Sequence, residues 1–162
     1  MVNKRKYIRI FFILLLVISI DQITKIIAYQ QLFLENKVIH INTILSFRPV
    51  WNNGISFGMF QDFGNYGRFT FSIIAIIISC WLIWSSTKIN KFCAIAYLLI
   101  AGGALGNVLD RIFHGKVVDF IDFHYYNWHW PAFNFADSFI FIGVALYIYS
   151  EFILSKEKNN DY

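Results

Sequence analysis

Charged side chains are scarce in this 162-residue sequence. Asp, Glu, Lys and Arg make up 15% of the residues, whereas soluble domains contain about 25%. Hydrophobic residues make up 57% of the chain and aromatic residues 20%. A water-soluble globule could not cover that much apolar surface, and a disordered chain would be far more polar. The composition therefore excludes an ordinary soluble enzyme and a disordered protein.

Cysteine is also scarce, because Cys80 and Cys93 are the two in the chain and both lie in apolar stretches. They form no CxxC motif and have no neighbouring histidine, so we expect neither a disulfide framework nor a zinc site. The sequence contains no HExxH motif and no glycine-rich phosphate loop. The net charge of +4 includes no dense basic patch interleaved with aromatics, so we expect no nucleic-acid partner. No metal or organic cofactor is implied.

Long apolar runs are abundant, and a membrane-spanning helix needs about 20 such residues. Lys4-Arg5-Lys6 before the first run could begin a cleaved signal peptide, but Asp21-Gln22-Ile23-Thr24-Lys25 follows in place of a small-residue cleavage site. We therefore predict an all-α membrane protein, a single integral membrane domain over residues 1–162. Its transmembrane helices are expected at about 8–28, 69–87, 92–112 and 134–154.

The basic residues outside these helices predict the orientation, because cytoplasmic segments are enriched in Lys and Arg. One side of the membrane would hold a clear excess of basic over acidic residues, and the other side would be nearly neutral. We therefore expect cytoplasmic N- and C-termini and external loops at about 35–66 and 113–133. The basic residues on the cytoplasmic side are Lys4, Arg5, Lys6, Arg9, Lys88, Lys91, Lys156 and Lys158.

The first external loop is rich in β-branched and aromatic residues, which favour strands. Such segments occur at 38–42, 46–51 and 55–60, and Asn53-Gly54 between the last two is a strong hairpin signal. We therefore predict a small external β-sheet subdomain that rests on the membrane surface.

Ionisable residues at membrane depth are costly and are functional candidates for that reason. Asp21 and Lys25 are four residues apart on one helix face, where they could form an ion pair that merely anchors the helix. On the third helix a polar stripe must face the bundle or a wet cavity, either as a structural network or as a functional site. The stripe consists of Asn107, Asp110, Arg111 and His114.

Three further carboxylates follow the polar stripe, namely Asp119, Asp122 and Asp137. Asp119 lies between Val118 and Phe120, and such an apolar setting would raise its pKa. Asn134 is a suitable N-cap for the fourth helix, and Asp137 would then occupy the third helical position. Asp137 could equally be a first-turn carboxylate that the helix dipole favours.

Elimination leaves carboxylates as the candidate chemistry. The predicted outer side has no cysteine and no serine in a nucleophile-elbow pattern to act with its histidines, His40, His114, His124 and His129. Two aspartates could share one proton, one acting as base on a water and the other as acid. A small transporter with a proton relay and a non-catalytic lipid-binding module remain alternatives. The candidates allow six pairs, and spacing does not choose among Asp110, Asp119, Asp122 and Asp137.

Five motifs, in order along nearly the whole chain, resemble the lipoprotein signal peptidase (signal peptidase II) family of bacterial membrane aspartic proteases. A single such motif would be weak, but five in order in a chain of this size are specific. They are Asp21-Gln22-Ile23-Thr24-Lys25, Asn52-Asn53-Gly54-Ile55-Ser56-Phe57, Gly102-Gly103-Ala104-Leu105-Gly106-Asn107-Val108-Leu109-Asp110-Arg111, Val117-Val118-Asp119-Phe120 and Phe133-Asn134-Phe135-Ala136-Asp137-Ser138.

The resemblance implies catalytic roles for Asp119 and Asp137 and structural roles for Asp21 and Lys25. Asp122 lies outside the motif of the catalytic pair, and no role is assigned to it. The implied substrate is a diacylglyceryl-modified prolipoprotein, cleaved just before its lipidated cysteine in the bacterial cytoplasmic (inner) membrane, near the outer face. One copy of the chain would suffice, so we expect a monomer whose partners are this substrate and membrane lipids. The residues implied to line or support the substrate site are Asn52, Gly54, Asn107, Asp110, Arg111, Asn134 and Ala136.

Overall fold

Four long apolar helices form the body of the protein. The computed structural model describes residues 4–54 and 64–160. Each helix contains a stretch long and apolar enough to cross a membrane, which confirms the predicted class. A single π-helical turn, Tyr29–Phe33, extends the first helix. The helices are α1 (Lys4–Ala28), α2 (Gly64–Ser86), α3 (Lys91–His114) and α4 (Phe135–Asn160).

Helix α3 lies at the centre of the bundle and packs against α1, α2 and α4. The short connection from α2 to α3 makes these two an antiparallel hairpin, as its length predicts. Asn90 caps the start of α3, because its Oδ1 accepts a hydrogen bond of 2.9 Å from the backbone N–H of Cys93. Gly115 ends the helix with a left-handed φ of 77°.

Glycines on α3 allow the neighbouring helices to approach closely. A Cβ at Gly102 would lie 2.7 Å from Cγ1 of Val17 on α1. A Cβ at Gly103 would collide with the backbone carbonyl oxygen of Ala136 on α4. The small residues therefore have the packing role expected of such residues in membrane helices.

A four-stranded antiparallel sheet lies beside the bundle, with the strands in sequence order. This confirms the predicted small sheet. Proline interrupts its second strand, where Pro49 lies in a register shift between Phe47 and Val50. The strands are β1 (Ile39–His40), β2 (Leu45–Asn52), β3 (Val117–Tyr125) and β4 (Trp128–His129).

The prediction of which segments form the sheet was wrong in one respect. The longest strand, β3, comes from the segment at 113–133 that the sequence analysis treated as a loop, and it pairs with β2. Residues 117–122 are all buried, so this strand lacks the alternation of apolar and polar residues by which a half-exposed strand is recognised. The strand predicted at 55–60 lies outside the described residues.

Candidate active site

Asp119 occupies a buried position near the start of β3, with 1% of its surface exposed. Its Oδ2 accepts a hydrogen bond of 2.9 Å from Nδ2 of Asn52, and its Oδ1 accepts one of 2.6 Å from Nδ2 of Asn134. Burial raises the pKa of Asp119 to about 7, and the negative charge of nearby Asp137 acts in the same direction. Asp119 is therefore poised to gain or lose a proton near neutral pH.

Asp137 lies in the first turn of α4 and forms a reciprocal cap with Asn134. The backbone N–H of Asp137 donates to Oδ1 of Asn134 at 3.0 Å, and the backbone N–H of Asn134 donates to Oδ2 of Asp137 at 3.3 Å. This is the geometry of a capping box, and it confirms the N-cap predicted for Asn134. The cap fixes the position of the Asp137 carboxylate at the helix N-terminus.

Asn134 thus contacts both carboxylates at once. Its side-chain amide donates to Asp119 while its backbone N–H donates to Asp137. The residue itself is fully buried, and its side-chain bond to Asp119 is shielded from bulk water. One asparagine therefore joins two aspartates that come from a strand and from a helix.

Asn107 on α3 supports the same pair from the opposite side. Its Nδ2 donates to Oδ1 of Asp137 at 2.9 Å. Its Oδ1 accepts from Nζ of Lys25 at 2.9 Å and from Nδ2 of Asn134 at 3.2 Å. The amide orientation of Asn107 is therefore determined by an obligate donor, the lysine ammonium.

Lys25 is buried in a network of two ion pairs. Its Nζ lies 2.9 Å from a carboxylate oxygen of Asp21 and 2.9 Å from one of Asp110. Asp21 also accepts from the backbone N–H of Ala136, and Asp110 accepts from that of Val118. The network connects α1, α3, β3 and α4.

Gln22 belongs to this network, although the sequence analysis gave it no role. Its Nε2 lies within hydrogen-bond distance of Asp21, Asp110 and the carbonyl oxygen of Gly106, at 3.0–3.2 Å. Its position inside the first motif was the only signal that could have indicated a role.

Arg111 holds the first loop against α3. Its Nη2 donates to the carbonyl oxygen of Gly54 at 2.6 Å, and Nη1 donates to that of Asn107 at 3.3 Å. The backbone N–H of Gly54 in turn donates to Oδ1 of Asn52, whose Nδ2 contacts Asp119. Arg111 therefore acts on Asp119 through Gly54 and Asn52.

The other candidate residues are directed elsewhere. Asp110 is paired with Lys25. Asp122, three residues after Asp119 on β3, projects from the opposite face of the strand and contacts Arg48 and His129. His114 is exposed and stacks on the ring of Tyr29 with centroids 5.5 Å apart. Of the four carboxylates left open by spacing, Asp119 and Asp137 are the two that hydrogen-bond to Asn134.

An apolar groove of about 710 Å³ opens beside Asp137. Its walls come from the end of β3, from β4 and the segment that follows it, and from α4, so they are continuous with the elements that hold the two carboxylates. Such a surface suits an apolar chain whose polar end meets the carboxylates. The groove is lined in part by Phe123, Trp128, Trp130, Phe133, Ile140 and Phe141.

The chain is similar to known proteins over most of its length. The family model of signal peptidase (SPase) II matches residues 13–153. A lipoprotein signal peptidase of Polynucleobacter necessarius is 42% identical over 144 residues, which are 86% of each chain. One of Aeromonas hydrophila is 37% identical over 162 residues, covering 98% of this chain and 97% of that relative.

A solved structure described as a bacterial membrane enzyme, obtained by the in meso method, superimposes with a TM-score of 0.77. It is 32% identical to this chain and covers 95% of it, with 92% of its own length matched. The family model spans most of the sequence, and relatives well above 30% identity match nearly their full length. The chain therefore belongs to the signal peptidase II family of aspartic-type membrane peptidases.

Proposed function

We propose that Asp119 and Asp137 are the catalytic pair that hydrolyses the peptide bond before the lipidated cysteine of a diacylglyceryl-modified prolipoprotein. Membership of the family makes this protein a peptidase that removes signal peptides from prolipoproteins. The observation that carries the assignment is Asn134, whose side chain and backbone contact the two carboxylates. The groove beside Asp137 supports the choice of an apolar substrate.

The chemistry requires one proton on the pair. Two close carboxyl groups do not both ionise readily, so they share a proton between them. The raised pKa of Asp119, about 7, is consistent with a carboxyl that keeps this proton near neutral pH. The proton belongs to the pair, since strongly coupled groups titrate together.

In the reaction, the ionised carboxylate removes a proton from a water molecule, and the water oxygen forms a bond to the carbonyl carbon. The protonated carboxyl gives its proton to the carbonyl oxygen, which produces a neutral tetrahedral diol. Collapse of the diol breaks the C–N bond. One carboxyl gives its proton to the amine of the leaving cysteine, and the other carboxylate takes a proton from a diol hydroxyl, which leaves the new C-terminal carboxylic acid. No bond forms between substrate and enzyme, and both products leave with the carboxyl pair again holding one proton.

The substrate reaches the site from within the membrane. Its signal segment is an apolar helix and its lipid chains are apolar, so both match the aromatic groove beside Asp137. We assign the termini to the cytoplasm and the sheet to the outer side of the bacterial inner membrane, on the distribution of Lys and Arg. Every residue of the proposed site comes from one chain, so a monomer suffices. The transporter alternative has no support from the family match.

The test is cleavage of a diacylglyceryl-modified prolipoprotein by purified protein in detergent. Asp119→Asn and Asp137→Asn should each abolish the size shift of the substrate, because neither variant can hold the shared proton in a carboxyl pair. The matched control is Glu35→Gln, which changes an exposed carboxylate and should cleave normally. Appreciable cleavage by both aspartate variants, with melting temperatures like that of the unmodified protein, would contradict the proposal.

A further inference from the structure

Three potential metal ligands meet on the face of the sheet opposite Asp119. Asp122 and His124 are two residues apart on β3, so their side chains share one face. His129 on β4 is the register partner of His124. Strand alternation and pairing therefore bring together residues whose spacing in the sequence matches no common metal motif.

The ligand atoms of the three residues lie close together around the Asp122 carboxylate. Nδ1 of His129 lies 2.9 Å from Oδ2 and 3.0 Å from Oδ1 of Asp122, and Nδ1 of His124 lies 3.7 Å from Oδ2. One ligand atom from each residue lies within 4.8 Å of the others. Nδ1 of His124 is buried and has no hydrogen-bond partner within the described parts of the chain. A buried imidazole nitrogen without a partner is costly, which indicates that something else satisfies it.

These separations suit a tetrahedral ion. Zinc binds histidine nitrogen and carboxylate oxygen at about 2.0–2.2 Å, which sets neighbouring ligand atoms about 3.3 Å apart in a tetrahedron. The distances from Oδ2 of Asp122 to Nδ1 of His129 and of His124, 2.9 Å and 3.7 Å, lie on either side of that value. Two imidazole nitrogens and one carboxylate oxygen are the donor set of many three-ligand zinc sites.

We propose that Asp122, His124 and His129 form a binding site for a divalent transition-metal ion, with Zn²⁺ the favoured ion. The side chain of Asp122 is 1% exposed, whereas that of His129 is 41% exposed. The ion therefore enters past His129 and keeps its fourth position open to water. The site goes beyond the catalytic proposal and does not depend on it. It differs from the sequence analysis, which implied no metal.

Within the described residues, Arg48 is the arginine or lysine that forms an ion pair with the Asp122 carboxylate. Its Nε lies 3.4 Å from Oδ1 of Asp122 and makes no hydrogen bond within the described residues, so this contact is an ion pair only. Oδ1 also lies 3.0 Å from Nδ1 of His129, and Oδ2 lies within 3.7 Å of Nδ1 of both histidines. Arg48 therefore offsets part of the carboxylate charge beside the proposed site.

A bound ion would stabilise one wall of the apolar groove. His129 lies between Trp128 and Trp130 in the sequence, and both tryptophans line the groove beside Asp137. An ion that bridges β3 and β4 would fix the positions of these rings. The role of the metal is therefore structural, since it makes no contact with the proposed catalytic pair.

The test is zinc binding to purified protein that carries a histidine-free affinity tag and has been stripped with a chelator. Titration with ZnCl₂, followed by isothermal calorimetry and metal analysis after dialysis, should give one ion per chain. Co²⁺ in place of Zn²⁺ should give the intense visible absorption of a four-coordinate site. Binding should weaken as the pH falls, because both imidazoles must be neutral to bind the ion.

Variants locate the site. His124→Ala and His129→Ala should each weaken binding by at least about tenfold, since even outer partners of metal ligands contribute that much. His114→Ala is the matched control, because His114 is exposed and outside the cluster, and should bind zinc like the unmodified protein. Zinc should raise the melting temperature of the unmodified protein and of His114→Ala, but not of His129→Ala.

The proposal is overturned if zinc shows no saturable binding at one ion per chain. It is equally overturned if both cluster variants bind as tightly as the unmodified protein, or if His114→Ala loses as much affinity as His129→Ala. His129→Gln serves as a second variant should His129→Ala fail to fold. The side chain at this position is partly exposed, so the substitution leaves no buried cavity.

Discussion

At the scale of single residues, the central feature is the asparagine that lies between two acids. Asn134 has a structural task, the capping of α4, and a second task, the alignment of Asp119 with Asp137. Local sequence predicts the first task, because Asn before a helix is a common N-cap. The second depends on β3 reaching α4, and periodicity carries no information about that contact.

Asn134→Ser separates the two tasks. Serine keeps an oxygen that can cap the helix but lacks the amide that donates to Asp119. We therefore expect a near-normal melting temperature. We expect kcat to fall about 10- to 100-fold, which corresponds to the loss of one hydrogen bond to a charged group. Asn134→Ala should show the same kinetic loss and also about 0.5–2 kcal/mol lower stability, from the lost cap. Thermal melts and single-turnover kinetics measure both effects. A normal kcat in Asn134→Ser would show that the Asn134 side chain does not contribute to catalysis.

The pH dependence of catalysis follows from the same pair. The folded-state pKa of Asp119, about 7, lies above the ordinary value of 3.8, so the pair keeps its proton below about pH 7 and loses it above. We therefore expect kcat/KM to decline by about tenfold per pH unit on the alkaline side of that value. Rates from pH 5.5 to 9, with melting temperatures as a control for folding, measure the profile. A flat profile up to pH 9 would contradict a catalytic role for this proton.

At the scale of elements, the helices were predictable and the second half of the sheet was not. Long apolar runs such as Ile73–Ile78 identify a spanning helix by composition alone. Residues 117–122 of β3 are all buried, so the strand lacks the alternation of apolar and polar residues, and the two aspartates within it make its composition equally compatible with a loop. Its partner, β2, lies some 70 residues away in the sequence, and such a pairing leaves no local signal.

Packing between α3 and α4 gives a prediction with a definite sign. In an isolated helix, Gly→Ala is stabilising by about 1 kcal/mol. At Gly103, however, the added Cβ would collide with the backbone carbonyl oxygen of Ala136, which cannot move aside as a side chain could. We expect Gly103→Ala to lower the melting temperature and to reduce cleavage, because the first turn of α4 carries Asp137. A stabilised variant would show that the two helices are not in this close contact.

At the scale of the whole molecule, the bundle, sheet and groove place polar chemistry at one end of an apolar body. α3 contributes Asn107, Asp110 and Arg111 near its C-terminal end, where the sheet also packs. The outward surface of the helices carries large exposed hydrophobic residues, such as Phe11, Ile77 and Phe141, as expected for contact with lipid. An apolar substrate can therefore approach laterally without leaving the membrane.

The proposed orientation can be measured by labelling of introduced cysteines with a membrane-impermeant thiol reagent, in a Cys80→Ser/Cys93→Ser background. Lys37 lies in the predicted external loop, so the thiol introduced by Lys37→Cys should react in intact cells. Lys88 lies in the predicted cytoplasmic connection between α2 and α3, so the thiol introduced by Lys88→Cys should react only after permeabilisation. The opposite pattern would place the sheet and the site in the cytoplasm. Both positions are exposed, so lack of labelling would not result from burial.

Infrared spectroscopy can follow the titration of the Asp119 carboxyl group, as the difference between the spectra of the unmodified protein and of Asp119→Asn. This titration shows directly whether Asp119 and Asp137 share a proton. We predict a protonated-carboxyl band that disappears with a midpoint near pH 7. In Asp137→Asn the midpoint should move to lower pH, because the neighbouring negative charge that raises the pKa of Asp119 has been removed. A midpoint near 4, or one that is the same with and without the Asp137 carboxylate, would contradict the shared proton.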